Sequence, residues 1–355
     1  MLMVIFGAGA SYDSAQAFRI SYPDDSRGVS VPLAEVQNER EEWRPPLAKD
    51  LFRGRHQGVR DIVLKYPKLT HILPYLRELP TGRSVEQTLE AFQEQGKDNP
   101  ESKRELASVK FYLCELLQKV SEEWSLRTSG VTNYAPLIRD ILRFNKFDEP
   151  VCLVTFNYDS LLERALRTFG FNDKEPEAFL DSHPILKLFK LHGSVDWCRL
   201  VDARGRYAPQ HLIAQADTMR LSDNFIRANA TDPRQMFNFS GPIFPAIAIP
   251  VQTKSDESFE CPRDHLSYLS EMLPRVDKVL IIGWQAKEAH FLRLLRSGPL
   301  KPRRVMVVGE NGRDAASTRR TFLEGIALYL PDEVGGEGGF TDFIVNEEGR
   351  GLYLA

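Results

Sequence analysis

Two short stretches of this chain hold residues able to do acid–base and sugar chemistry: Thr155-Phe156-Asn157-Tyr158-Asp159 and Lys190-Leu191-His192-Gly193-Ser194. The Asn157 amide both donates and accepts hydrogen bonds, which suits holding a water or a sugar hydroxyl. The His192 imidazole is the usual general base near neutral pH, and Gly193 leaves room beside it. A third stretch, Gly7-Ala8-Gly9-Ala10-Ser11, combines glycines that let the backbone approach a ligand with helix-start N–H groups that face negative charge. Each stretch also suits a plain structural role. The glycines can form a tight turn with no ligand, Asn157 can close a turn, Asp159 can cap the next helix, and a histidine at a strand end can simply be structural.

The elements that must position these residues alternate between strand and helix. Met1–Phe6 is a continuous apolar run ending at Gly7, as expected of a strand buried on both faces of a parallel sheet. Val151–Phe156, Ile185–Leu191, Lys278–Gly283 and Arg303–Gly309 are further runs of this kind, and most lead into helical patterns. That rhythm predicts an α/β fold with a Rossmann-like, doubly wound parallel sheet, whose ligand edge is the carboxyl end of the strands. Asp159 is placed to cap an amphipathic helix over Ser160–Phe169.

From about 47 to 144 the pattern is helical throughout. Ser84-Val85-Glu86-Gln87 forms a capping box. Leu106, Val109, Leu113, Leu116, Leu117, Val120 and Trp124 make one stripe at three- and four-residue steps, and Leu137, Ile138, Ile141 and Leu142 follow with Pro136 near the first turn. The block is predicted as a helical insertion, and its stripes as a surface for a homo-oligomer. Residues 21–46 read as a long loop, 201–242 as loops with a short helix, and 335–339 as a glycine turn before the apolar segment Phe340–Val345.

Composition narrows the class. The hydrophobic fraction of 42% and charged fraction of 27% allow an ordinary buried core, and the 355-residue length allows about two units. A net charge of −3 provides no global field to recruit nucleic acid or acidic lipid. Cys114, Cys152, Cys198 and Cys261 contain no C-x-x-C pair, so neither a zinc ribbon nor a redox dithiol is expected, and free thiols imply a reducing, cytoplasmic setting. No apolar run approaches the ~20 residues of a membrane helix.

Taken in order, Gly-Ala-Gly-x-Ser at 7–11, Thr-x-Asn-x-Asp at 155–159, His192-Gly193 and the strand ending in Gly283-Trp284-Gln285 resemble the sirtuin superfamily. The similarity is to its sirtuin-like prokaryotic branch, many members of which are NAD hydrolases in antiviral defence. The frame spans 1–30 and 150–312. The resemblance implies an NAD-binding domain over 1–30 and 145–355, with 31–144 a lid loop plus helical insertion. It further implies that Ala8, Gly9 and Ser11 hold the pyrophosphate and that Asn157 orients the attacking water and the nicotinamide ribose. Asp159 would support that ribose or its loop, and His192 would be the base. Gly283 and Gln285 would flank the phosphates, and Gly309 and Glu310 would border the adenosine half. NAD is then a substrate, no metal is required, and control falls to assembly or to a partner such as a DNA-translocase-type ATPase or short Argonaute.

Three departures separate the chain from the peptide-deacylating sirtuins. Phe156 stands where they have Gln, their four-cysteine zinc module is missing, and their Gly-Ile-Pro-Asp-Phe-Arg motif has no clear counterpart after Ser11. Arg44-Pro45-Pro46-Leu47 is the candidate to take over that lid role. All three departures argue against deacylation more than against NAD cleavage.

Overall fold

The structure is a computed structural model that describes residues 1–15, 43–54, 58–79, 83–97, 99–145, 148–203, 205, 207–235, 239–250, 259–331 and 338–354. Most of the loop expected over 21–46 lies outside the described residues, as does the start of the 335–339 turn.

The five apolar runs form one parallel sheet. Its strands are β1 (Leu2–Phe6), β2 (Val151–Thr155), β3 (Leu186–Lys190), β7 (Lys278–Ile282) and β8 (Arg304–Val308), in the order β3-β2-β1-β7-β8. β2 and β3 are buried at every position, so both faces of the sheet need covering. Continuous apolar strands require just that, and helices on either face supply it. The winding direction reverses between β1 and β7, and this switch point is where doubly wound sheets open their ligand crevice.

A second sheet corrects the sequence expectation for 201–242. β4 (Gly193–Val201), β5 (Leu221–Arg227) and β6 (Ile243–Ile247) form an antiparallel sheet in the order β5-β4-β6. The short helix Pro209–Ala214 is present, but β5 did not show in the sequence. Only Phe225 of that strand is fully buried, and β4 shifts register near Arg199, so side-chain alternation is blurred.

The block before β2 is helical in its described residues: Val59–Lys65, Leu69–Arg77, Val85–Gln95, Pro100–Arg127 and Tyr134–Phe144. The capping box at Ser84 and Gln87 forms in both directions. The stripe from Leu106 to Trp124 is buried along its length. Most of it packs into a second core shared with the antiparallel sheet, where Phe111 meets Phe244 edge-on at 5.2 Å. The stripe is therefore spent inside the molecule, which removes the argument that made it an oligomer surface. The last helix, Tyr134–Phe144, instead joins the core of the parallel sheet.

All four cysteines are buried free thiols, and burial pushes Cys152 up to about 12. Among the described residues no helix is long and apolar enough to cross a membrane.

Candidate active site

β1 and β7 run side by side, and the turns leaving them touch. Gly9 N–H donates to the Gly283 carbonyl at 3.0 Å, and Gly7 N–H donates to Ile282 O at 3.0 Å. A Cβ on Gly283 would stand 2.1 Å from Ala10 N, and one on Gly9 2.8 Å from Gly283 Cα. Gly283 also has φ +63, which L side chains rarely adopt. The glycines thus allow two backbones to meet at the switch point. In this arrangement the Gly9 amide serves that packing. Ala8 opens a five-residue helix, Ala8–Tyr12, directly above β1.

Asn157 leaves the end of the neighbouring β2 and reaches this turn. Its Nδ2 donates to Gly7 O at 2.9 Å and to Ser11 Oγ at 2.9 Å, with Tyr134 Oη at 3.4 Å. The Ser11 and Tyr134 hydroxyls share a further hydrogen bond of 2.9 Å. A carbonyl such as Gly7 O can only accept, so the amide's NH2 must face inward. Oδ1 takes part in none of these bonds. What Asn157 has left to offer a ligand is an acceptor.

The helix after Asp159 is Leu161–Arg167 with Ser160 at its N-cap, so Asp159 stands one residue before the expected cap position. Asp159 Oδ1 accepts from Leu161 N–H at 3.1 Å across the turn that leads in. Its carbonyl accepts from the buried Lys190 Nζ at 2.6 Å, and Lys190 pairs with buried Glu163 at 2.7 Å. Burial outweighs the Lys190 charge and raises the Glu163 carboxyl to about 7. A charged strut therefore ties β3 to the loop that carries Asn157.

His192 sits at the corner where β3 passes into β4. Its own carbonyl accepts from Ala248 N–H at 2.9 Å, and Leu191 N–H donates to Thr155 O at 3.1 Å, which fixes the corner. Gly193 is obligatory there, with φ +77 and Ala246 O only 1.9 Å from where a Cβ would stand. The imidazole is 6% exposed. It meets the ring of Phe156 edge-on at 4.9 Å and faces Tyr158 at 6.2 Å, so the residues on either side of Asn157 both touch it. His290 lies parallel to it at 5.9 Å, and Trp284 stacks on Phe156 at 5.3 Å. Trp284 Nε1 donates to Glu288, which lies at the start of the helix Ala289–Ser297.

Ala8, Gly9, Ser11, Asn157, Asp159, His192, Gly283 and Gln285 thus gather at the carboxyl ends of four adjacent strands. Gln285 is exposed there, one residue beyond buried Trp284. Gly309 and Glu310 follow β8 at the opposite edge from β3, roughly 19 Å across at the usual strand spacing. Gly309 is packed against Ala315, and its carbonyl accepts from Gly339 N–H at 2.9 Å; Glu310 is exposed. Arg44, from the segment expected to act as a lid, lies over the Tyr12 ring at 4.5 Å, beside the first turn.

Sequence reasoning missed Tyr134, Glu288 and His290, and quoted Trp284 in a motif without giving its side chain a role. The only sign of Tyr134 is a hydroxyl heading an otherwise apolar stripe. The others follow the β7 turn with no recognisable spacing. Among the described residues one group could ligate a metal: His71, Glu101 and Glu105, with ligand atoms within 4.8 Å of one another. It lies on the helical block, where Lys68 and Arg104 already pair with Glu101.

Residues 151–238 match the family described as SIR2-like domain. The match covers about a quarter of the chain and includes both the Asn157 and the His192 loops. No curated protein matches the sequence. Among solved structures, a Sir2 homologue in complex with NAD is similar over 99% of this chain and 88% of its own, with 12% identity and a TM-score of 0.40. A mutant Sir2 homologue in complex with ADP-ribose is similar over 93% and 94%, with 12% identity and a TM-score of 0.34.

Proposed function

We propose that this chain is a sirtuin-like NAD hydrolase that cleaves the nicotinamide–ribose bond to give nicotinamide and ADP-ribose. The observation that carries the reading is the convergence of Asn157 and His192 beside the switch-point crevice. An acceptor amide is locked to the first glycine turn, and an imidazole is held between the two neighbours of that amide.

The C1′–N bond breaks with its electron pair passing to nicotinamide, which leaves neutral while positive charge develops on the ribose. Aromatic walls from Phe156, Tyr158 and Trp284 keep bulk water from the imidazole side of this step. Asn157 Oδ1 accepts a hydrogen bond from the incoming water and so aims its lone pair at C1′. His192 takes the proton released as the new C–O bond forms. No step calls for a metal. Ala8, Gly9, Ser11, Gly283 and Gln285 line the pyrophosphate side, Asp159 holds the ribose loop, and Gly309 and Glu310 border the adenosine half.

The NAD-binding unit is 1–30 with 145–355, and 31–144 supplies the lid and the helical insertion. Four buried free thiols fit a reducing cytoplasm. Uncontrolled hydrolysis of NAD is toxic, so the enzyme is a regulated effector of antiviral defence, released by self-assembly or by a partner protein. Incubating the purified chain with NAD and resolving the products by mass spectrometry tests the reaction. Nicotinamide with free ADP-ribose supports it. O-acyl-ADP-ribose formed with an acylated peptide would instead indicate a deacylase, and tight binding without nicotinamide release a sensor.

A further inference from the structure

We infer that Tyr134 is a positioning residue for the proposed hydrolysis, reaching in from outside the parallel sheet to lock the Asn157 amide. The inference rests on the function proposed above, and on a contact set no sequence motif marks. Tyr134 is 1% exposed, and its hydroxyl lies 2.9 Å from Ser11 Oγ and 3.4 Å from Asn157 Nδ2. One amide proton of Asn157 goes to Gly7 O, and the other points toward the paired Ser11 and Tyr134 hydroxyls. Both protons of the NH2 are thereby spoken for. The amide cannot flip without setting its carbonyl oxygen against Gly7 O, so Oδ1 stays turned to the substrate side.

The phenol is itself held on every side. Phe6 and Phe340 meet its ring edge-on at 5.4 and 5.5 Å. The preceding residue, Asn133, donates from Nδ2 to Asp13 O at 2.7 Å and to Thr341 Oγ1 at 2.9 Å. Thr341 in turn donates to the Asp13 carboxylate from its amide at 2.9 Å and its hydroxyl at 2.7 Å. This clasp joins the Ala8–Tyr12 turn, the Tyr134–Phe144 helix and the penultimate helix Gly339–Val345 around one hydroxyl pair. Burial, with the nearby Asp159 charge, holds the Tyr134 phenol well above the usual tyrosine range, so it stays protonated throughout an assay.

The test compares wild type, Tyr134→Phe, Ser11→Ala and the double variant for nicotinamide release and for NAD binding by calorimetry. Loss of one neutral hydrogen bond to the amide is expected to lower kcat about tenfold in Tyr134→Phe. The Kd for NAD should move by less than about threefold, and the shape of the pH profile should stay the same. Because Ser11 and Tyr134 act through one amide, the double variant should fall well short of the product of the single effects. Should Tyr134→Phe not fold, Thr341→Val, which removes the hydroxyl of the clasp and lies outside the residues assigned to NAD, carries the same kcat-without-Kd expectation. Wild-type kcat in Tyr134→Phe, a loss confined to NAD binding, or fully multiplicative losses would each overturn the inference while the hydrolase reading stands. A wild-type chain that binds NAD and releases no nicotinamide overturns that reading, and this inference with it.

Discussion

Gly9 and Gly283 meet backbone to backbone at the switch point, with the amide of one donating to the carbonyl of the other at 3.0 Å and no space for a Cβ on either. The two turns that open the crevice are therefore one packed unit. Gly283→Ala is expected to destabilise the protein by about 2–4 kcal/mol, since it adds a clash with Ala10 N to an unfavourable positive φ. Thermal melts, with NAD binding on the surviving folded fraction, check this.

Arg350 and Asp140 form a buried ion pair, with Nη2–Oδ2 at 2.6 Å, that fixes the C-terminal helix Glu347–Leu354 to the Tyr134–Phe144 helix. Arg350 Nη1 also donates to Phe343 O at 3.0 Å. Arg350→Met leaves the buried Asp140 carboxylate with only the exposed Arg139, whose Nε lies 3.0 Å from Oδ1, so it should cost about 2–3 kcal/mol, and Asp140→Leu/Arg350→Met should recover most of that loss. Denaturant unfolding of both variants decides the point.

His265 is fully buried among Phe179, Phe189 and Trp197, and burial lowers its imidazole to about 4. The unfolded chain takes up that proton near its ordinary value of about 6.5, while the folded chain does so only near 4. Between those limits the unfolded state binds more protons, so stability falls as pH drops, by roughly 3 kcal/mol across the window. The stability–pH curve of His265→Leu should lack that slope. An unchanged slope would assign it to other groups.

The strands of the parallel sheet were legible because each is buried on both faces and so writes itself as an unbroken apolar run, as Val151–Thr155 does. The Ser84 box was legible because a cap is local chemistry, and the same local rule read Asp159 one residue out, since Ser160 takes the N-cap position. β5 was hidden because its half-exposed residues Leu221–Arg227 owe their strand form to ladder bonds with β4 rather than to their own pattern. The Leu106–Trp124 stripe was read correctly as apolar, but its partner, the small sheet, depends on a pairing some hundred residues away that periodicity cannot name. At the site, Asn157 and His192 stood out by type and placement at strand ends. Tyr134 did not, because its role depends on three separate segments meeting.

Turnover of NAD by Asn157→Ala and His192→Ala, each measured beside wild type on protein shown to be folded, tests the central claim most directly. The account predicts that each substitution lowers nicotinamide release by about 10²–10⁴-fold, the range of a positioned general base and its water-holding partner, while both proteins melt near the wild-type temperature. Full turnover in both variants would contradict it.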